Sequence, residues 1–127
     1  MEIQVEATEK YQLIDISDQI QKVVTASQVT EGAVSVFVPH TSAAVMVEEN
    51  EPGLKQDFYT LFKDYEKCSY HHPDGNAPAH ILAGIIGHCR TVPIREGKLG
   101  LGTWQAILLV ELDGPRQRRV IITVLPS

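Results

Sequence analysis

The amino-acid sequence predicts an α+β fold, in which mostly antiparallel, β-sandwich-like sheets are accompanied by about three helices. Two observations lead to this prediction. Apolar stretches of strand length recur along the chain and are separated by turn residues. Three other stretches have the apolar spacing or the end residues of helices. Because no repeat, low-complexity segment or linker divides the sequence, we expect a single domain over residues 1–127.

Strands and one helix are predicted for the first 50 residues. Apolar and polar side chains alternate in the first strand, whereas the third is apolar at nearly every position, which is typical of a strand covered on both faces. Ser17 stands where an N-cap is expected, before a helix over residues 18–27. The predicted strands cover residues 3–7, 11–16, 33–38 and 43–48.

Two more helices are predicted after Glu51-Pro52-Gly53, whose proline and glycine end the preceding strand. The first is indicated by an apolar stripe that consists of Leu54, Phe58, Leu61, Phe62 and Tyr65. Residues 66–76 have the composition of a loop. Asn76 can cap the next helix, over residues 77–86, which has Pro78 in its first turn and a glycine directly after it.

The C-terminal part of the chain is predicted to consist of strands. Arg95-Glu96-Gly97 indicates a hairpin turn, and Asp113-Gly114-Pro115 indicates a second turn. The stretch Ala106–Val110 is so apolar that we expect it to lie either between two packed sheets or at a subunit interface. The predicted strands cover residues 91–94, 98–101, 103–112 and 119–125.

Composition and charge narrow the classes of partner. The net charge is −5 at pH 7, and the only basic cluster is Arg116, Arg118 and Arg119, so no nucleic-acid-binding surface is expected. The longest apolar run is far shorter than a membrane span, and the N-terminus lacks the pattern of a signal peptide. Cys68 and Cys89 are isolated and lack CxxC spacing, so neither a disulfide scaffold nor a thiolate zinc site is expected. We therefore expect a cytoplasmic protein that binds neither nucleic acid nor membrane.

Polar residues interrupt the apolar stretch Phe37–Asn50, which we interpret as the lining of a site. His40, Thr41 and Ser42 stand together in its middle, and Glu49-Asn50 close it. A strand that only packs in a core needs neither feature. Carboxylates at the end of this stretch can provide acid–base or ligand chemistry.

Histidines elsewhere in the chain suggest a zinc site. Imidazole is a common zinc ligand, and three protein ligands with one open position define a catalytic zinc site. His40 at a strand end, His72 in a loop and His80 near a helix start could converge on one ion. Their spacing matches no compact motif such as HExxH, so the alternative is that they are hydrogen-bonded surface or core histidines. His88 follows His80 by eight residues with Gly84 between them, and we expect all three to lie roughly on one face of a helix.

Two further features admit both a structural and a functional interpretation. Glu111 lies on the same strand face as Ile107 and Leu109, where a carboxylate needs a partner such as one of the arginines of residues 116–119, or acts as an acid or base with a raised pKa. Trp104, in the stretch LGLGTWQ, could cover a ring-shaped ligand or fill the core. An anion could also bind at the start of the helix over residues 77–86, beside His80.

Longer motifs point to a family. They occur in a fixed order that covers the chain from about residue 10, namely HTSAAVMVEEN at 40–50, YHH at 70–72, NAPAHI at 76–81, GIIG at 84–87, VPIREGKLGLGTWQ at 92–105 and DGPR at 113–116. In these motifs the sequence resembles the YjbQ-type family, often described as secondary thiamine-phosphate synthases.

The resemblance implies a compact sandwich-like fold that assembles as a homotrimer, with a polar pocket near the subunit boundary and histidines able to hold a metal ion. His40, His72 and His80 match histidines of the family's motifs, and Glu49-Asn50 match its Glu-Asn pair. This pair ends the family's N-E-N motif, and Glu48 stands where that motif has its first asparagine. His88 stands where the family has serine, so it is not expected to be a ligand.

Three functions are compatible with this resemblance. As an enzyme, a thiamine-phosphate-synthase-type transferase acting on small phosphorylated substrates, the chain would hold a divalent metal through the three histidines. Zinc is expected, because histidines outnumber paired aspartates. Glu49 and Asn50 would be catalytic, and the substrate would contact Thr41, Ser42, Trp104, Gln105, Arg116 and Arg118. Alternatively, the chain is a non-catalytic binder of a metal or small anion, or a metal-dependent hydrolase.

Overall fold

Two antiparallel sheets and three α-helices make up the computed structural model, which describes residues 1–127. The helices are α1 (Ser17–Ser27), α2 (Pro52–Asp64) and α3 (Ala77–Ile86), and a 3₁₀ turn (Tyr65–Lys67) follows α2. None of them has the length and hydropathy that a bilayer span requires. The strands are β1 (Glu2–Ala7), β2 (Gln12–Asp15), β3 (Glu31–Phe37), β4 (Ala43–Glu49), β5 (Cys89–Arg95), β6 (Lys98–Leu99), β7 (Gln105–Glu111) and β8 (Arg116–Pro126). The predicted α+β fold is confirmed.

The two sheets enclose the first of two hydrophobic cores. One sheet has the strand order β1-β8-β3-β5-β6, and the other has the order β2-β7-β4. Inward side chains of both sheets meet between them, for example Val36 and Ile122 from the larger sheet and Val45 and Leu109 from the smaller. Helix α1 contributes Ile20 and Val24 to the same core.

The second core lies on the other face of the three-stranded sheet, beneath α2 and α3. Leu108 and Val110 of β7 pack there with Phe62 of α2 and Leu82 of α3. Strand β7 is therefore apolar on both faces because each face meets a different core. The stretch Ala106–Val110 is buried by two packed layers within one chain, and its apolar character does not require a subunit interface.

Several side chains serve tertiary contacts where the sequence suggested local ones. Ser17 does not cap α1, because its Oγ accepts a hydrogen bond from the backbone N–H of Ile107 at 2.9 Å. Asn76 occupies the N-cap position of α3, as predicted, but its side chain makes no capping hydrogen bond, and its Nδ2 donates to Asp113 Oδ2 at 3.0 Å. The predicted Ser17 cap is wrong, because the N-cap position of α1 is Ile16. Helix α2 has a side-chain cap, provided by Glu51, which accepts from the N–H of Leu54.

The register of the smaller sheet fixes where the candidate site residues lie. In β4, Ala43 is paired with Glu111 of β7, and Glu49 is paired with Gln105. A strand of seven residues spans about 20 Å. The polar residues before β4 and those at its end therefore occupy opposite ends of the sheet.

Candidate functional site

Four histidines surround one cavity at the end of the sheet where β4 begins. The cavity has a volume of about 700 Å³ and is bordered by the loop before β4, the loop between the 3₁₀ turn and α3, and the first turns of α3. Its lining consists of Thr41, Ser69, Tyr70, His71, His72, Ala77, His80, Ile81 and His88. The fold thus brings together His72, from a loop, and His80, from a helix, whereas His40 does not line this cavity.

The His80 ring is held in one orientation by the backbone. Its Nδ1 lies 2.9 Å from the carbonyl oxygen of Thr41. Because a carbonyl only accepts hydrogen bonds, Nδ1 carries a proton, which leaves the lone pair of the neutral ring on Nε2. The ring of His72 approaches edge-on, with a centroid distance of 4.9 Å and an interplanar angle of 82°. His72 Nε2 also lies 3.5 Å from Asp74 Oδ2.

His40 borders a neighbouring cavity of about 530 Å³. Its Nε2 accepts a hydrogen bond from the backbone N–H of Arg119 at 3.1 Å, so that lone pair is already used. Burial lowers the pKa of His40, and the Arg118 guanidinium lowers it further. The structure therefore presents His40 as a neutral acceptor apart from the His72–His80 pair. No three His, Cys, Asp or Glu side chains of the chain form a group that could hold a metal ion.

His88 borders both of these cavities. It does not lie on α3, which ends at Ile86, so the prediction that it shares a helix face with His80 is wrong. Its Nδ1 is buried and has no hydrogen-bond partner in the chain. The turn after α3, and not helical spacing, places His88 beside the other histidines.

A buried ion pair lies behind His40. Arg118 Nε and Nη2 donate to the two carboxylate oxygens of Glu111 at 2.7 and 2.6 Å, and both side chains are at most 2% exposed. Nη2 also donates to the Ser42 carbonyl oxygen and Oγ at 3.0 and 2.9 Å. Glu111 thus has the arginine partner that its apolar strand face requires. Ser42 and Arg118 are engaged with each other, although both still border the His40 cavity.

Arg116 is the more accessible of the two arginines proposed to contact a substrate. It borders the His40 cavity, and its side chain is 49% exposed. Its guanidinium is held by Asp113, with Nη2 3.1 Å from the carboxylate and Nε 2.9 Å from the backbone oxygen.

Known proteins share this architecture and this chain length. A family model described as UPF0047 protein YjbQ-like matches residues 1–127. The chain belongs to the YjbQ/UPF0047 family. It is similar to a UPF0047 protein of Archaeoglobus fulgidus, with 42% identity over 98% of this chain and 100% of the relative. It is also similar to the UPF0047 protein YugU of Bacillus subtilis, with 32% identity over 97% of this chain and 96% of the relative.

Solved structures of YjbQ-like proteins have the same fold. The crystal structure of a YbjQ-like protein of unknown function from Sulfolobus solfataricus has a TM-score of 0.93 and 39% identity, covering 100% of this chain and 96% of that one. A YjbQ/UPF0047 protein from Clostridium acetobutylicum has a TM-score of 0.94 and 35% identity, covering 98% and 99% of the two chains.

The remaining proposed site residues of this YjbQ-like chain lie at the opposite end of the smaller sheet. Asn50 Nδ2 donates to Asp15 Oδ2 at 3.3 Å, and Gln105 Oε1 accepts from the N–H of Gly102 at 2.8 Å. Trp104 is 74% exposed, so the core-filling interpretation of this tryptophan is wrong. Within one chain, Glu49 and its neighbours do not meet the histidines.

A third cavity, of about 410 Å³, lies next to the histidine cavity and is not predicted by the sequence. Tyr70, His72 and Ala77 border both. Its other polar lining residues come from four separate segments, so no local spacing could reveal it. They are Lys10, Tyr11, Glu66, Asn76 and Asp113.

Proposed function

We propose that this YjbQ-family chain binds a small phosphorylated molecule in the histidine cavity, with a divalent metal ion, zinc, held by His72 and His80. The observation that carries the proposal is the orientation of His80. Its Nδ1–H is directed at the carbonyl of Thr41, and its Nε2 is free. Histidines that bind metals usually make this kind of hydrogen bond through the other ring nitrogen, because it fixes the ring and its tautomer.

The histidine pair fits a metal in part. His72 lies against His80, and its Nε2 would have to leave Asp74 in order to bind an ion. His40, the third ligand suggested by the sequence, would have to release the N–H of Arg119. A bound zinc ion would supply positive charge for phosphate oxygens. Without it, the chain's own donors in the cavity are imidazole N–H groups and the hydroxyls of Thr41 and Ser69.

The start of α3 contributes less to anion binding than its sequence suggests. Pro78 has no N–H, and the N–H groups of Ala79 and His80 are directed at the backbone oxygen of Asn76. Only the N–H of Ala77 is left for a ligand. Recognition of a phosphate therefore falls to the histidines, and to Arg116 in the neighbouring cavity.

A catalytic role requires more than one copy of the chain. We extend the proposal to a cytoplasmic homotrimer in which the Glu49-Asn50 end of one subunit completes the histidine cavity of the next. The activity would be thiamine-phosphate synthesis, in which the thiazole nitrogen of a thiazole phosphate forms a bond to the methylene carbon of a pyrimidine methyl diphosphate while the diphosphate leaves. Because this step removes no proton, Glu49 would act as a hydrogen-bond acceptor that orients the substrate or a histidine. Substrate contacts of Trp104 and Gln105 would come from the same neighbouring subunit, because both lie at the Glu49 end.

The second candidate is a non-catalytic binder of a metal or small anion. It is favoured by the length of β4, which separates Glu49 from the histidines by about 20 Å in one chain. In this case, the chain needs no neighbouring subunit in order to bind its ligand.

Zinc binding is tested by calorimetric and thermal titration of the metal-free protein. We expect added zinc to raise the melting temperature of the wild type, because a ligand that binds only the folded state stabilises it. His80→Ala should lose this shift. His71→Ala is the matched control, because His71 borders the same cavity but is not a proposed ligand. The metal proposal fails if the wild type shows no shift, or if His80→Ala shows the same shift as the wild type.

The shared catalytic site is tested by mixing two inactive variants. Product formation from the two thiamine precursors is measured for His80→Ala, for Glu49→Gln and for their equimolar co-refolded mixture. If neighbouring subunits share the site, random mixing restores about a quarter of wild-type activity, because one site in four combines an intact histidine side with an intact Glu49 side. A wild type without activity leaves only the binding function. Single variants that are active, or a mixture that stays inactive, contradict the shared site.

A further inference from the structure

We propose that the cavity lined by Lys10, Tyr11, Glu66, Tyr70, Asn76 and Asp113 is a second binding site, which takes a neutral, planar molecule bearing an amino or carboxamide group. Its volume of about 410 Å³ is within the range of small-molecule sites. We refer to it as the tyrosine cavity. The inference does not depend on phosphate or metal binding by the histidines.

Two acceptor oxygens of residues that line this cavity have no donor within the chain. Asn76 Nδ2 donates to Asp113 Oδ2, which fixes the side-chain amide of Asn76 and its oxygen. Asn76 Oδ1 is buried and unpaired. Asp113 Oδ1 takes part in none of the chain's hydrogen bonds, whereas Oδ2 also receives Arg116 Nη2. A buried acceptor without a donor is energetically unfavourable. A ligand that donates an N–H group to it should therefore bind more tightly than a ligand without N–H groups.

The charges around the cavity are balanced, which favours a neutral ligand. Glu66 receives Lys10 Nζ and the Tyr11 hydroxyl, each at 2.5 Å from Oε1. Asp113 is paired with Arg116 at 3.1 Å. Each carboxylate therefore already has its cation. An ammonium ion would lack a free counter-charge, and a phosphate would be placed beside two carboxylates.

Rigid aromatic walls favour a flat ligand. The Tyr11 hydroxyl is held by Glu66, and the Tyr11 ring packs on Phe62 with a centroid distance of 5.8 Å. The Tyr70 hydroxyl donates to the backbone oxygen of Tyr65. Leu112 and Pro78 add apolar surface to the lining. Aromatic and aliphatic walls with a few fixed polar groups are typical of sites that bind ring-shaped molecules.

The test uses nicotinamide and methyl nicotinate, which share a ring but differ in their N–H donors. Binding is followed by ¹⁵N NMR on the full-length chain. We expect millimolar nicotinamide to shift the side-chain amide of Asn76 and the backbone amides of Gly75 and Ala77. Methyl nicotinate should bind at least about tenfold more weakly, since it cannot donate to the unpaired oxygens. This comparison uses the wild type and does not depend on the folding of any variant.

Variants then locate the site and separate it from the histidine cavity. Asn76→Ala should abolish the nicotinamide shifts, and His80→Ala should retain them while losing the shifts caused by inorganic phosphate. If the wild type shows shifts with nicotinamide but none with inorganic phosphate, the proposed function is contradicted and this inference still holds. The inference is overturned by equal binding of the two probes, by no nicotinamide shifts, or by shifts confined to Thr41 and Ile81.

Discussion

Replacing Arg118 by methionine is expected to cost a large part of the chain's stability. The substitution removes all four hydrogen bonds of the guanidinium and leaves the Glu111 carboxylate, which is 0% exposed, with only the N–H of Asp113 as a donor. Removing one partner of a buried ion pair typically costs about 3–5 kcal/mol. The total free energy of unfolding of a small domain is roughly 5–15 kcal/mol. We therefore expect Arg118→Met to be folded but strongly destabilised.

The measurement is urea unfolding at pH 7.5 and fixed protein concentration, followed by circular dichroism and linear extrapolation. Arg119→Met is the matched control, because Arg119 is on the same strand and its ion pair with Glu2 is exposed. Exposed pairs contribute about 0–1 kcal/mol. A loss below about 1 kcal/mol for Arg118→Met, or equal losses for the two variants, would refute the reasoning.

A second substitution separates the cost of the unpaired charge from the value of the pair. In the double variant Glu111→Leu/Arg118→Met, no charge is left buried, and apolar replacements of a buried pair are often neutral or stabilising. We expect the double variant to be more stable than Arg118→Met alone. Strictly additive losses would show that the two side chains are not energetically coupled.

The remaining predictions concern His40 and Trp104. Because the pKa of His40 in the folded chain is below its ordinary value of 6.5, the unfolded chain binds more protons in the window just below pH 6.5. The free energy of unfolding should therefore fall as the pH is lowered through this window. The free energy of unfolding of His40→Gln should fall less over the same window. An identical pH profile for the two proteins would contradict this prediction. Trp104, the only tryptophan, is 74% exposed in one chain. If the proposed trimer covers it, acrylamide quenching of its fluorescence should decrease as protein concentration rises through the dissociation constant, and quenching that stays constant would place Trp104 outside the interface.

Local signals predicted the elements that depend on local chemistry. Helix α3 has the bounds that its sequence suggests, because Pro78 favours the first turn of a helix and a glycine ends it. The hairpin between β5 and β6 turns at Glu96 and Gly97, which both adopt positive φ angles. The partner of Glu111 was narrowed to nearby arginines because a carboxylate on an apolar face needs one.

Features that depend on tertiary contacts escaped local analysis. Ser17 and Asn76 are good capping residues, but strand β7 and Asp113 offer them partners that appear only in the folded chain. His88 could be placed beside His80 only with the turn after α3 known. The separation of His40 from Glu49 is different. It follows from the predicted strand length alone, since a strand of this length spans about 20 Å.

The burial of β7 on both faces has a consequence for how the molecule unfolds. Odd-numbered residues such as Leu109 belong to one core, and even-numbered ones such as Leu108 belong to the other. Neither core can open without exposing half of this strand, so the layers are expected to unfold as one cooperative unit. The backbone amides of β7 should then exchange with solvent only through global unfolding. A cavity made beneath α2 would loosen the distant sheet sandwich as well.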